Sequence, residues 1–361
     1  MNFLHKKLWL TLSKVRFLML PRERRVRLEV TTDGRHLTFI LVSLYEAGFG
    51  VQVYGGDWFF RELMLLRKTA PIPFLYGGKE TECGISITDR PSPLDTGRST
   101  LFVLDYDYFT EKLTELHMPY FMQPKALHGG YHKIHSGSLP KKRGIRLGFY
   151  GTHNREYYTK HFRFPILPRT PILDCFNDIF SGEFQPAGRF LSEKIPVTIA
   201  VSMDYSATDQ VKKNYLAQKD YFTILEQTEF MLCPPGWCMP QSHNLIEAMS
   251  HGVIPILNYP DYMVPNLKNG YNCLAFSTLK EMEERIQEAL GMSQSGIHNL
   301  RTNVVRYYQD YLAPGSWWRR LLRNRNDDVK IFVNDEAASV HARDGDFLTT
   351  AREFIEWIPK N

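Results

Sequence analysis

Residues 229–257 read EFMLCPPGWCMPQSHNLIEAMSHGVIPIL, and this stretch decides the fold class. Phe230, Met231 and Leu232 form an apolar run that stops at Pro234, Pro235 and Gly236, as a buried strand of a parallel sheet does. Ser242 suits the N-cap of a following helix, and Leu245, Ala248 and Met249 recur behind it at helical spacing. Gly252 closes that helix, and Val253 to Leu257 is the next strand. Asn244, Glu247 and His251 share roughly one helical face, opposite the apolar stripe. Polar groups therefore gather at the carboxyl end of one strand and at a helix N-terminus. Doubly wound proteins bind ligands there, and the N–H groups and helix dipole favour an anion such as a diphosphate.

The order F-x-L-x-P-x-G, then S-x-x-x-x-E-A, then G-x-I-P-I resembles the donor-binding region of exostosin-like glycosyltransferases. It is carried here by Phe230, Leu232, Pro234, Gly236, Ser242, Glu247, Ala248, Gly252, Ile254 and Pro255. The resemblance covers about Tyr221 to Phe276 and is thin elsewhere. It implies an α/β protein of the GT-B type, two Rossmann-like domains with a cleft between them, and a nucleotide-diphospho-sugar donor, a UDP-sugar first among them. It also implies that Glu247 holds the donor ribose and that the preceding loop, with Pro235, Gly236 and Trp237, lies near the diphosphate. The family places a basic residue two positions after the serine, where this chain has Asn244. Asn cannot supply the charged fork of an arginine, so another basic residue must replace it or the diphosphate contact is lost. A strand, glycine loop, helix and strand also occur in parallel α/β proteins that bind no nucleotide.

At 361 residues the chain is long enough for two domains, and its 43% hydrophobic and 23% charged content excludes a disordered class. The net charge of +5 is unevenly spread. Lys6, Lys7, Lys14, Arg16, Arg22, Arg24, Arg25 and Arg27 oppose only Glu23 in the first segment, interleaved with Phe3, Leu4, Leu8, Trp9, Leu10, Leu12, Val15, Phe17, Leu18 and Leu20. Charges interrupt this stretch too often for a membrane span, and no cleavage pattern marks a secretory signal. It reads either as a basic amphipathic helix on an anionic membrane or as a helix docked on the protein. No nucleic-acid motif accompanies the charge. Five scattered cysteines and the lack of any N-x-S/T site point to reduced thiols in a cytoplasmic protein, peripheral on the inner face of the membrane if the first segment binds lipid.

Along the chain, residues 1–25 form the basic segment and 26–122 a Rossmann-like acceptor domain, opened by a strand at Val26 to Val30, a helix at Leu37 to Ala47 and a strand at Val51 to Tyr54. Thr110 to His117 reads as a helix. Residues 123–143, without periodicity and rich in Gly and Pro, read as a linker. Residues 144–312 form the nucleotide-sugar domain, entered through the strand Ile145 to Tyr150. Residues 313–361 read as a helical segment that crosses back to the first domain.

Glycosyl transfer needs a grip on the diphosphate, a base for the acceptor hydroxyl if the reaction inverts, and an acceptor site. The loop after the strand at Ile145 holds Gly151, Thr152, His153, Asn154 and Arg155, where a glycine lets backbone N–H groups approach phosphate. Arg155 is a candidate for neutralising the leaving diphosphate, or is a surface arginine in a turn. Asp33 and His36, in the first loop of the acceptor domain, are the candidate bases, or cap the next helix. Asp57 is a second-rank candidate. Trp58 and Trp237 either stack on the substrates or fill the core. Asp105-Tyr106-Asp107 at a strand end fits the metal site of a GT-A glycosyltransferase, the first alternative reading. A non-catalytic nucleotide or saccharide binder of the same fold is the second. The leading reading is a metal-independent enzyme that moves a sugar to a saccharide or lipid-linked saccharide.

Overall fold

The architecture follows from short apolar runs alternating with helical patterns, a sequence form that builds parallel sheets with helices on their faces. In the structure, a computed structural model, residues 3–31, 34–78, 81–89, 100–109, 112–133, 142–152, 155, 158, 162–204, 216–323, 329–336 and 339–340 are described. The chain forms two units, Met1–Gly130 with Ala313–Asn361, and Tyr131–Leu312.

The first unit opens with helix α1 (Phe3–Met19). Strand β1 (Arg25–Glu29), helix α2 (Arg35–Glu46), β2 (Gly50–Tyr54), α3 (Asp57–Leu66) and β3 (Phe74–Tyr76) follow. Then come β4 (Ile85–Thr88) and β5 (Thr100–Asp105). Residues 112–117 are not helical. They instead pair with a late strand: Met118 N–H donates to Phe332 O and Phe332 N–H to Leu116 O, at 2.8 and 3.1 Å. Nor is 123–143 wholly irregular, because it contains α4 (Pro124–Gly129). Pro124 starts that helix and Gly130, in the left-handed region at φ 77°, ends it.

The second unit holds β6 (Ile145–Thr152), α5 (Arg169–Phe180), β7 (Phe184–Pro186), α6 (Ala187–Glu193) and β8 (Val197–Asp204). It continues with α7 (Gln218–Glu226), β9 (Thr228–Leu232), α8 (His243–Ser250), β10 (Ile254–Leu257) and β11 (Leu274–Ala275), and ends with α9 (Leu279–Gly291) and α10 (Gln294–Tyr307). Gly252, at φ 65°, turns the chain from α8 into β10. The chain then returns to the first unit through α11 (Ser316–Arg323) and β12 (Val329–Phe332), which pairs with β5.

Both sheets have six parallel strands. The first runs β3-β2-β1-β4-β5-β12, the order of a dinucleotide-binding sheet. The second runs β7-β8-β6-β9-β10-β11. There β7 lies outside β8, so the chain steps over one strand position and then fills it. In each sheet the winding reverses beside the first strand, between β1 and β4 and between β6 and β9. These are the switch points at which doubly wound sheets open a crevice beyond their strand ends. The cores are fully enclosed, with Val26, Leu28 and Val53 in one and Leu147, Phe230 and Ile254 in the other.

Two buried imidazoles give this fold a pH signature. His117 stacks on Phe332 and His251 on Phe222, at ring separations of 4.5 and 5.1 Å. Burial lowers both pKa values to about 4, and Arg143 lowers that of His251 further, against backbone bonds that oppose the shift. Both rings are neutral when folded and protonate near pH 6.5 when unfolded. The stability they contribute is complete above pH 6.5 and is lost as pH falls to 4. Each accounts for roughly 2–3 kcal/mol over that interval. Thermal unfolding measured from pH 7 to 4.5 is expected to show a falling midpoint, and His251→Gln to flatten the slope.

Candidate functional site

At the switch point of the second unit the strand ends of β6 and β9 and the start of α8 converge on one side chain, Arg169. It is the first residue of α5 and is 3% exposed. Its Nε donates to Pro235 O at 2.8 Å, and Nη1 to Thr152 O and the Tyr158 hydroxyl at 3.1 Å each. Its Nη2 donates to Pro234 O and Ser242 Oγ at 3.4 and 3.3 Å. The Tyr158 ring lies under the guanidinium at 4.4 Å. All five bonds go to neutral oxygens, so among the described residues a buried positive charge sits beside a strand-end loop with no carboxylate bonded to it. Ser242 is the N-cap residue of α8 by backbone conformation, yet its side chain caps nothing in the helix and serves Arg169 instead.

Asn244 Nδ2 donates to Tyr150 O at 2.6 Å, tying the first turn of α8 to β6. A Cβ on Gly151 would stand 2.7 Å from that same Nδ2, which is why the strand end carries no side chain there. Gly236 is tighter, since a Cβ would meet Gln241 O at 2.6 Å and Met239 O at 3.0 Å, both backbone atoms. Gly236→Ala must therefore push the loop apart. It is expected to destabilise by about 1–3 kcal/mol, as overpacking does. The unfolding midpoint, measured beside the wild type, should fall accordingly.

Glu247 lies one turn further along α8, 4% exposed, and accepts from the Tyr221 hydroxyl at 3.0 Å. Burial, and then the Glu247 charge, push the Tyr221 pKa well up, so the phenol stays a donor. Trp237 is buried, at 8% exposure. Arg155 is exposed and pairs with Asp174 at 2.6 Å. Thr152 Oγ1 is 2.8 Å from the Tyr158 hydroxyl. Thus Thr152, Pro235 and Ser242 meet directly around Arg169, with Gly151 at the end of β6, Gly236 in the loop after β9 and Asn244 in the first turn of α8. Glu247 and Arg155 flank them, and Asn154 lies outside the described residues.

In the first unit, His36 is fully buried in the opening turn of α2. Its Nδ1 stands 3.2 Å from Asp335 Oδ1 and its Nε2 3.5 Å from the Tyr106 hydroxyl. Asp33 lies outside the described residues. At the switch point itself Asp89 accepts from the Thr31 N–H and hydroxyl, at 2.8 and 2.9 Å. Asp105 accepts from its own turn, Asp107 N–H at 2.8 Å, and pairs with Lys330 at 2.7 Å. Among the described residues no group of three or more His, Cys, Asp or Glu could hold a metal ion.

Arg169, Tyr221 and Asp335 are the functional candidates that sequence reading passed over. One signal did mark Arg169. A cation at the first position of a helix opposes the dipole, which favours acidic residues there, so something other than helix stability keeps it.

No family model matches the chain, and no curated protein matches its sequence. Among solved structures, HepE of Anabaena in complex with UDP and glucose is 11% identical, with a TM-score of 0.41 over 83% of this chain and 98% of that one. A glycosyltransferase of Rickettsia africae is 10% identical, with a TM-score of 0.41 over 84% and 97%. WaaG, a glycosyltransferase involved in lipopolysaccharide biosynthesis, is 10% identical, with a TM-score of 0.36 over 83% and 100%. Likeness at this level sets neither a family nor an activity for the chain.

Proposed function

We propose that the protein is a GT-B type glycosyltransferase whose second unit binds a nucleoside-diphospho-sugar, UDP-linked first among the candidates. The observation that carries this reading is the buried guanidinium of Arg169, bonded only to neutral oxygens at the strand ends. It supplies the positive charge that Asn244 does not, and it holds the loops whose N–H groups would meet a diphosphate. Glu247 would accept from the ribose hydroxyls. Arg155, exposed and paired with Asp174, would meet the charge that develops on the leaving diphosphate.

The first unit would take the acceptor, a saccharide or lipid-linked saccharide, with Asp33 or His36 as base. Asp335 holds the His36 imidazole, and the Tyr106 hydroxyl covers its other nitrogen. His36 would therefore act once Tyr106 moves, or through that hydroxyl. The transfer is proposed to need no metal. Asp105, the first carboxylate of the alternative metal site, is engaged by Lys330 and by its own turn. Release of nucleoside diphosphate from a nucleotide sugar should persist in EDTA and in Asp105→Asn. Loss of turnover in both would instead favour a metal-dependent enzyme.

Peripheral membrane contact, at the cytoplasmic face, is part of the same proposal. Helix α1 buries Ser13 and Phe17 and leaves Leu8, Leu12, Val15, Leu18 and Met19 exposed, at 58, 46, 46, 45 and 78%. Residues 8, 12, 15 and 19 form one stripe at helical spacing, with exposed Lys7, Lys14 and Arg16 around it. No helix among the described residues is long and apolar enough to cross a membrane. Sedimentation with phosphatidylglycerol vesicles is expected, and Leu8→Ser with Leu12→Ser should cut the bound fraction severalfold. Equal binding by that variant would reject the stripe as the contact.

A further inference from the structure

The opposite end of the second sheet holds a charge cluster that the proposed donor site does not use. A cavity of about 200 Å³ opens at the amino ends of β6 and β8, lined by Lys142, Arg143, Arg146, Thr198, Glu229 and Gln294 among others. That is several times the ~30 Å³ share of one liquid water, so it admits a small polyatomic ion. It lies one length of β6 from Gly151 and Thr152, roughly 25 Å at 3.3 Å per residue.

The charge balance there is one-sided. Glu229, 1% exposed, is already satisfied: one carboxylate oxygen pairs with buried Arg301 and the other accepts from the Arg143 N–H at 3.2 Å. Arg143, 5% exposed, donates through Nη1 to Leu225 O and Thr228 O and through Nη2 to His251 O. Those bonds stitch the ends of α7 and α8 and explain why the residue is buried. They leave its Nε, buried, with no hydrogen-bond partner. Arg146 Nη1 is likewise buried without a partner, and Lys142 is exposed at the mouth. Gln294 begins α10, so that helix brings its positive end to the same cavity. Burial and the neighbouring Arg301 drive the Arg143 pKa down, against the exposed Glu226. A buried cation cluster of this kind is stabilised when an anion joins it.

We propose that this cavity is an anion site for a phosphate-class oxyanion, bound by Lys142 and Arg146, with the buried guanidinium of Arg143 adding its charge from behind. The chemistry suits free phosphate or the phosphate of a phosphomonoester. The test is thermal unfolding of the full chain with sodium phosphate, and separately with glucose 6-phosphate, at ionic strength held constant with sodium chloride. A saturable rise of about 3 °C at ten times the dissociation constant is expected in the wild type. The double variant Arg146→Gln, Lys142→Gln should lose most of it. Both positions reach the surface and hold no structural bond described above, and circular dichroism would confirm that the variant folds. A larger response to glucose 6-phosphate than to phosphate assigns a monoester as the ligand, and equal responses assign the free ion. The series is repeated with UDP in excess, which separates this site from the proposed donor site. Persistence of the phosphate response with UDP present, or in a protein that binds no UDP, supports the cavity site whatever becomes of the donor reading. A rise that never saturates, that the double variant keeps, or that UDP abolishes would overturn it.

Discussion

Arg169→Ala should be the most damaging single substitution in the second unit. It removes five hydrogen bonds at once and leaves Pro235 O, Pro234 O, Thr152 O, Ser242 Oγ and the Tyr158 hydroxyl short of a donor. Breaking a buried charged network of this size costs about 3–5 kcal/mol, equivalent to a fall of roughly 10 °C in the unfolding midpoint. Arg169→Lys separates the two roles of the side chain. A lysine keeps the charge but lacks the planar fork that reaches β6, β9 and α8 together. It is expected to recover part of the stability and little of the nucleotide affinity, because the loops carrying Gly151 and Gly236 lose their common anchor. Thermal unfolding and calorimetric titration of both variants check this. Wild-type stability in Arg169→Ala would mean that the guanidinium organises nothing.

Glu247→Gln should act on binding with little effect on folding. The carboxylate is buried, and its Oε2 accepts from the Tyr221 hydroxyl. A charged acceptor facing a ribose diol contributes about 1.5–3 kcal/mol. Its loss should weaken nucleotide binding on the order of 10–100-fold. Glutamine keeps the volume and an oxygen for Tyr221, so the unfolding midpoint should move little. Tyr221→Phe is the comparison: it leaves the carboxylate charged but freer to turn, and should lower affinity less than Glu247→Gln does. Equal affinities across all three proteins would remove Glu247 from the site.

Much of the fold was legible where local signals agreed with the tertiary arrangement. The stretch 229–257 is such a case, because a buried parallel strand is apolar along its length and Gly252 marks the turn out of α8. The residues gathered at the switch point were legible for the same reason: strand ends, glycines and a helix start are encoded locally. What escaped was set by long-range contacts. Arg169 reaches partners 65–73 residues away at Pro234, Pro235 and Ser242, and nothing in its own neighbourhood names them. Residues 112–117 read as helix by pattern but are drawn into pairing with Phe332. His36 was found by its place in the first loop, while its burial against Asp335, from the far end of the chain, was not. Pro124 and Gly130 were a misread local signal, since proline at a helix start and glycine at its end are the marks of α4.

The strand-end site of the second unit is proposed to bind a nucleoside diphosphate. The most direct measurement is calorimetric titration of the wild-type protein with UDP, GDP, CDP and ADP in turn. One of them, UDP first among the candidates, is expected to bind near one per chain and to lose binding with Arg169→Lys or Glu247→Gln. Heat of dilution alone for all four would contradict it.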